Sequence, residues 1–136
     1  MAITRGFIPE SIEDGHVPAF AYLPSGAITP KLGMALTQSS GLLAIATGTT
    51  KPSYICMCEK ESAVTSGELL PVIRVTDDIV FRTTCSASFA DRKLGDKVTL
   101  HASNGLQVTA TTTNGVATVV GIEGTESGSA VSVRFA

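Results

Sequence analysis

Residues 31–42 read KLGMALTQSSGL and residues 93–106 read KLGDKVTLHASNGL, so one chain opens two segments with the same three residues. In each segment apolar and polar residues then alternate, and a Ser-containing turn ends in Gly-Leu. Alternation with a period of two predicts half-buried β-strands, and glycine-bearing turns predict hairpins between them. The repeated order indicates two copies of one strand-and-turn unit.

The likeness between the two segments continues downstream. A Thr-rich turn, an apolar strand ending in glutamate, a Ser-Gly turn and a final strand carrying arginine follow in the same order in both. We therefore predict an all-β fold, a small β-barrel or β-sandwich built from two similar four-strand units. The units occupy residues 31–75 and 93–135 of a β-barrel domain that spans residues 31–136. Packing the units together would bury an apolar face of each.

Residues 1–30 differ from the rest in their proline content. They hold four of the chain's six prolines, which are Pro9, Pro18, Pro24 and Pro30. Proline fixes φ and lacks a backbone donor, so a central strand or a helix interior is disfavoured here. We predict an extended Pro-rich N-terminal arm, with at most a short strand at HVPAFAYL. Such an arm can be disordered, wrap its own barrel or reach a neighbour.

Composition and charge limit the classes of function. The chain is 43% hydrophobic but only 5% aromatic, so its apolar residues are mainly the small aliphatic ones that suit short strands. A net charge of −2 without a basic stripe argues against nucleic acid as a partner. No run approaches the roughly 18 apolar residues of a membrane span. With 16% charged residues, the low charge favours a surface that is partly covered in an assembly.

Candidate chemical groups are few and isolated. Cys56 and Cys58 form a C-x-C pair without two further ligands at metal-binding spacing, so we interpret them as buried apolar thiols. His16 and His101 have no nucleophile and orienting carboxylate nearby in sequence. The odd count of three cysteines without a secretory signal favours a reducing, intracellular environment. We predict no catalytic residue, no cofactor and no metal, and hence not an enzyme.

From Gly26 to Ala136 the chain resembles the small all-β head-decoration, or capsid-stabilising, proteins of tailed bacteriophages and prophages. The segments that carry the resemblance are LGMAL at 32–36 with SGL at 40–42, SGE at 66–68 with VIRV at 72–75, and LGDKVTL at 94–100, followed by GL at 105–106, GI at 121–122, SG at 127–128 and VSV at 131–133. Such proteins have a compact β-barrel in which glycine-bearing turns lead into Val-x-Val strands.

The resemblance implies a non-enzymatic role on the outer surface of an icosahedral shell. Members of that family commonly form trimers and brace neighbouring major capsid protein subunits, so the expected partners are the major capsid protein and further copies of this chain. The expected location is the virion, after synthesis in the host cytoplasm. An N-terminal arm often makes the shell contact in that family. We therefore expect the capsid-contact residues to be Ile3, Arg5, Phe7, Ile8, Phe20 and Tyr22.

Two other interpretations stay open. A head fibre base or a tail structural component would use the same kind of rigid β unit in another part of the virion. A ligand- or carbohydrate-binding β domain would present aromatic platforms, which a chain with no Trp and two Tyr supplies sparingly.

Overall fold

The computed structural model describes residues 5–12 and 18–135, and this part of the chain is all-β, as the sequence predicts. Its strands lie in two mainly antiparallel sheets. In chain order the strands are β1 (Ile8–Ile12), β2 (Ala21–Pro24), β3 (Ala35–Ser39), β4 (Leu42–Ile45), β5 (Tyr54–Cys56), β6 (Leu69–Arg74), β7 (Ile79–Cys85), β8 (Lys97–Val98), β9 (Gln107–Val108), β10 (Ala117–Ile122) and β11 (Ala130–Arg134).

The two sheets divide the chain almost at its middle. Sheet I has the order β1-β7-β11-β10-β8, with β9 pairing in parallel to β7. Sheet II has the order β2-β6-β5-β3-β4. Apart from β1, sheet I is built from residues 79–134, which we call the second half of the chain, and sheet II is built from residues 21–74, which we call the first half. The architecture is consistent with a β-sandwich.

Alternate residues of sheet II enter two different apolar cores. Leu36 and Cys56 belong to a small core that the first half of the chain forms together with Leu106. Their sequence neighbours Ala35 and Ile55 belong to a larger core with residues of sheet I, such as Val133. Sheet II is therefore buried on both faces where sheet I covers it, because successive side chains of a strand point to opposite faces.

The hairpin between β3 and β4 has a two-residue turn at Ser40 and Gly41. Both residues have positive φ, 52° and 80° respectively, which is the pattern of a type I′ turn. Ser39 and Leu42 pair directly before and after the turn. The tight turn thus fixes the register of the first of the two segments that predicted the fold.

Residues 1–30 do not form an arm outside the sheets in the parts that the structure describes. β1 pairs with β7 and β2 pairs with β6. Phe7 is completely buried in the larger core, and its ring lies edge-on to Phe135 with centroids 5.1 Å apart. The exclusion of proline from a central strand holds for Pro9, which lies on β1 at the edge of sheet I.

The two halves share one order of strand pairing. In the first half the neighbours run β2, β6, β5, β3, β4, and Ser25 next to β2 forms a parallel bridge to Leu43 of β4. In the second half they run β7, β11, β10, β8, and β9 pairs in parallel with β7. A bridge between Leu100 and Val108 joins the end of β8 to β9. That residues 31–75 and 93–135 are two copies of one unit stays a prediction. The shared pairing order would add β2 to the first copy and β7 to the second, each as its first strand.

Candidate functional site

The clearest surface feature is a group of large apolar side chains exposed beside and along β2 and β6. Phe20, Tyr22 and Leu69 are 52%, 62% and 57% exposed. We call these three residues the apolar strip. Exposed aromatic and aliphatic side chains that lie close together are typical of protein interfaces.

Strand pairing explains why part of the apolar strip faces outward. Tyr22 lies opposite Pro71, and Leu69 lies opposite Pro24. Because residues i and i+2 share a face, Tyr22 and Leu69 lie on the same face of sheet II. Their neighbours Leu23 and Leu70 point the other way, toward the small core.

The face of sheet II that carries Tyr22 and Leu69 continues into a covered region. Ile73 lies on the same face of β6 as Leu69, because the two residues are an even number of positions apart. Ile73 is buried in the larger core with residues of sheet I. The apolar strip therefore prolongs a face that already packs against the second half of the chain.

The residues expected to contact a partner lie in two separate places. Phe20 and Tyr22 belong to the apolar strip. Arg5 and Ile8 line a depression of about 300 Å³ on sheet I. Phe7 has no exposed surface, so the structure corrects its assignment as a contact residue: it is a core residue. Ile3 lies outside the described residues.

An ion-pair network stands beside Arg5 and Ile8. The guanidinium of Arg82 donates to both carboxylate oxygens of Glu123 and lies 3.5 Å from the carboxylate of Glu10. The Ser132 hydroxyl donates to Glu10 at 2.7 Å. This network links β1 to β7, to β11 and to Glu123, the residue after β10. The hydrogen bonds from Arg82 hold the pKa of Glu123 below its usual value.

The three cysteines are free thiols, and two of them are buried. The Sγ atoms of Cys56 and Cys58 lie 3.8 Å apart, and the Cys56 thiol donates to the carbonyl of Cys58. Burial raises the pKa of Cys56 to about 12, and the nearby Cys58 thiol adds to the shift. The Cys85 thiol donates to the carbonyl of Glu126 at 3.3 Å. Cys56 and Cys85 therefore fit the interpretation as packed thiols.

His101 organises a turn. Its Nδ1 atom accepts hydrogen bonds from the backbone N–H groups of Ser103 and Asn104, at 3.1 and 3.2 Å. The side chain of Asn104 in turn accepts from the N–H of Leu106 at 2.8 Å. These contacts give His101 a structural role in the connection between β8 and β9.

Over residues 5–12 and 18–135, no three His, Cys, Asp or Glu side chains gather in a way that could hold a metal ion. The same ranges contain no helix with the length and apolar character needed to cross a bilayer. No model of a known protein family matches the chain, and no curated protein is significantly similar to it.

Proposed function

We propose that this chain is a structural virion protein that binds the outer surface of an icosahedral phage capsid and stabilises it. Its partners are the major capsid protein lattice and two further copies of the chain in a trimer. The observation that carries this proposal is the apolar strip, which offers aromatic and aliphatic surface on and beside the paired strands β2 and β6. The sequence resemblance to phage head-decoration proteins supplies the kind of partner.

The finer architecture in this proposal is a pair of small barrels related by duplication. It is supported by the shared strand order of the two halves and by the parallel pairing that joins the first and third strand of each half. Closed pairing removes free strand edges. A brace with few free edges would stay rigid under load and avoid unwanted strand addition.

The proposed contact residues are Arg5, Ile8, Phe20 and Tyr22. We include Leu69 because it is exposed and shares a face of sheet II with Tyr22. Interfaces of this kind are modest individually, but repetition on a symmetric lattice multiplies them into firm attachment. A trimer carries three apolar strips and would engage several capsid subunits at once. Phe7 is left out because it packs inside the protein.

The experiment is co-sedimentation with empty shells assembled from the capsid protein that this chain accompanies. We expect the unaltered chain to pellet with the shells, and the double variant Tyr22→Ser, Leu69→Ser to stay in the supernatant. Leu94→Ser is the matched control, because Leu94 is 66% exposed elsewhere on the surface. Loss of binding in the control alone, or equal binding by all three proteins, would contradict the assignment of the apolar strip.

A ligand- or carbohydrate-binding β domain is the second candidate. Exposure of both Phe20 and Tyr22 favours it, since aromatic rings are the usual platforms for sugar faces. Saturable binding on a glycan array that disappears in Tyr22→Ser, together with no affinity for shells, would favour this candidate over capsid decoration.

A further inference from the structure

A second surface feature belongs to the first half of the chain, and none of the residues assigned to capsid contact lines it. It is a depression of about 360 Å³ between β3, β5, β6 and the loop before β5. The polar side chains that line it are those of Gln38, Lys51, Ser53, Tyr54 and Arg74. A concave surface on which several polar side chains converge is a candidate ligand site.

Strand register explains how these side chains come together. Tyr54 of β5 lies opposite Leu36 on one side and Arg74 on the other. Leu36 is buried in the small core, and Gln38 follows two residues later on the same face of β3. The row of side chains therefore passes from the apolar interior to a polar, solvent-facing end. Arg74 and Gln38 stand at that end beside the Tyr54 ring.

The depression concentrates positive charge. Lys60, Arg82 and Arg92 each pair with a carboxylate. Lys51 and Arg74 have no ion-pair partner within residues 5–12 and 18–135, and no acidic residue lines the depression with them. Two like charges that face the same small volume repel one another, and an anion placed between them relieves that repulsion. The site is cationic although the whole chain carries a net charge of −2.

Several side chains that line the depression carry hydrogen-bond donors. The backbone N–H groups of Ser53 and Val75 donate within the fold, to the carbonyls of Leu36 and Ser53, and Pro52 has no N–H. The remaining donors include the planar fork of Arg74, the Lys51 ammonium, the Tyr54 hydroxyl and the Gln38 amide. The planar guanidinium of Arg74 can donate two parallel hydrogen bonds to the two oxygens of a carboxylate, and the Lys51 ammonium adds a second positive charge.

We propose that this depression is a binding site for the carboxylate of an acidic segment in a partner protein. Arg74 holds the two oxygens through paired N–H donors, Lys51 supplies a second positive charge, and the Tyr54 hydroxyl and Gln38 amide fix the orientation. This inference goes beyond capsid decoration, because it applies to any protein that presents the acidic segment.

The test uses the full chain with Tyr22→Phe, which leaves Tyr54 as the only tyrosine in a protein without Trp. Tyrosine emission then reports on the depression alone. The probe is a blocked five-residue peptide with two glutamates, compared with its glutamine counterpart and with inorganic phosphate. We expect saturable binding of the acidic peptide near about 1 mM, weakened by added salt. The glutamine peptide should not bind.

Further substitutions in the Tyr22→Phe protein distinguish a specific binding site from nonspecific charge attraction. Arg74→Gln should weaken binding about tenfold, and Arg74→Lys should recover only part of the loss, because it restores the charge without the fork. Lys97→Gln is the control, since it removes one exposed positive charge outside the depression. Thermal unfolding of each variant confirms that it is folded.

Three results would overturn the inference. The first is the absence of saturable binding by the folded parent. The second is an equal loss of binding in Lys97→Gln and Arg74→Gln. The third is tighter binding of phosphate than of the acidic peptide. None of these results depends on shells, so failure here is distinct from failure of the capsid proposal.

Discussion

The backbones of Gly6 and Gly33 cross in direct contact, so that a Cβ atom placed on Gly6 would lie 2.4 Å from the carbonyl oxygen of Gly33. At this crossing the N–H of Phe7 donates to the same carbonyl at 2.7 Å. This contact positions Phe7 next to the larger core and determines where the N-terminal segment joins the fold. Only residues without a side chain allow two backbones to approach so closely.

The first prediction concerns this crossing. Gly33 has a φ of +84°, and a Cβ added there would lie 2.7 Å from the backbone nitrogen of Phe7. Gly33→Ala should therefore lower the free energy of unfolding by about 3 kcal/mol, through left-handed strain and steric overlap together. Urea denaturation measures the change.

Gly67→Ala is the matched control for Gly33→Ala. Gly67 has a φ of +95°, but no heavy atom lies within 4 Å of the added Cβ. This variant therefore measures the backbone strain without the steric overlap. We expect a loss of about 1 kcal/mol. Equal losses in the two variants would show that the crossing is looser than the structure has it.

The second prediction separates core from surface among the N-terminal phenylalanines. Phe7 is fully buried against Phe135, whereas Phe20 is half exposed. Phe7→Ala should lower the free energy of unfolding by about 4 kcal/mol, and Phe20→Ala by less than about 1 kcal/mol. If chemical denaturation showed similarly small losses of unfolding free energy for Phe7→Ala and Phe20→Ala, Phe7 would belong to an external arm.

Much of the fold could be predicted from alternation and turns, but the exact turns could not. Asn104-Gly105 and Asn114-Gly115 are the strongest short hairpin signals in the sequence, and both predict type I′ turns. In each pair only one residue has positive φ, which is Gly105 in the first pair and Asn114 in the second. The prediction of two such turns is wrong. Around Asn104, two hydrogen bonds determine the local path instead: its side-chain oxygen accepts from the N–H of Leu106, and its own N–H donates to His101.

The site was harder to predict than the strands, because burial depends on contacts distant in sequence. Phe7 lies in a Gly- and Pro-containing stretch that suggests an arm, and its burial comes from Phe135 at the other end of the chain. Leu69 and Leu70 are adjacent apolar residues, so period-two geometry places them on opposite faces. Which face stays exposed depends on how far sheet I covers sheet II, and local sequence does not contain that information.

The third prediction is an alkaline loss of stability from Cys56. Burial raises its pKa from 9.0 to about 12, so in the unfolded chain the thiol loses its proton first. The contribution of the protonated thiol to stability is complete below pH 9.0. It falls by about 1.4 kcal/mol per pH unit as the pH rises from 9.0 to about 12.

Unfolding of the unaltered chain and of Cys56→Ala in urea, at about pH 8 and about pH 10 with reductant present, measures this dependence. The stability advantage of the unaltered chain over Cys56→Ala should shrink at the higher pH. A constant difference between the two proteins would show that the thiol ionises as readily in the folded state as in the unfolded one.

The fourth prediction concerns the ion pair between Arg82 and Glu123. Hydrogen bonds from Arg82 lower the pKa of Glu123, so the pair stabilises the fold above the usual carboxyl pKa and less as the pH falls below it. In Arg82→Gln, an NMR titration of the Glu123 carboxyl carbon should show its pKa rising toward the usual value. Arg74→Gln removes an equal charge elsewhere and should leave the Glu123 titration unchanged; matching shifts in both variants would mean a general charge effect.

The fifth measurement tests capsid decoration most directly. It is cryo-electron microscopy of shells incubated with the unaltered chain. We predict added density on the outer surface at three-fold positions, in lobes that fit three copies of the chain, with Tyr22 and Leu69 turned toward the capsid protein. Bare shells, or density on the inner surface or on the tail alone, would contradict the account.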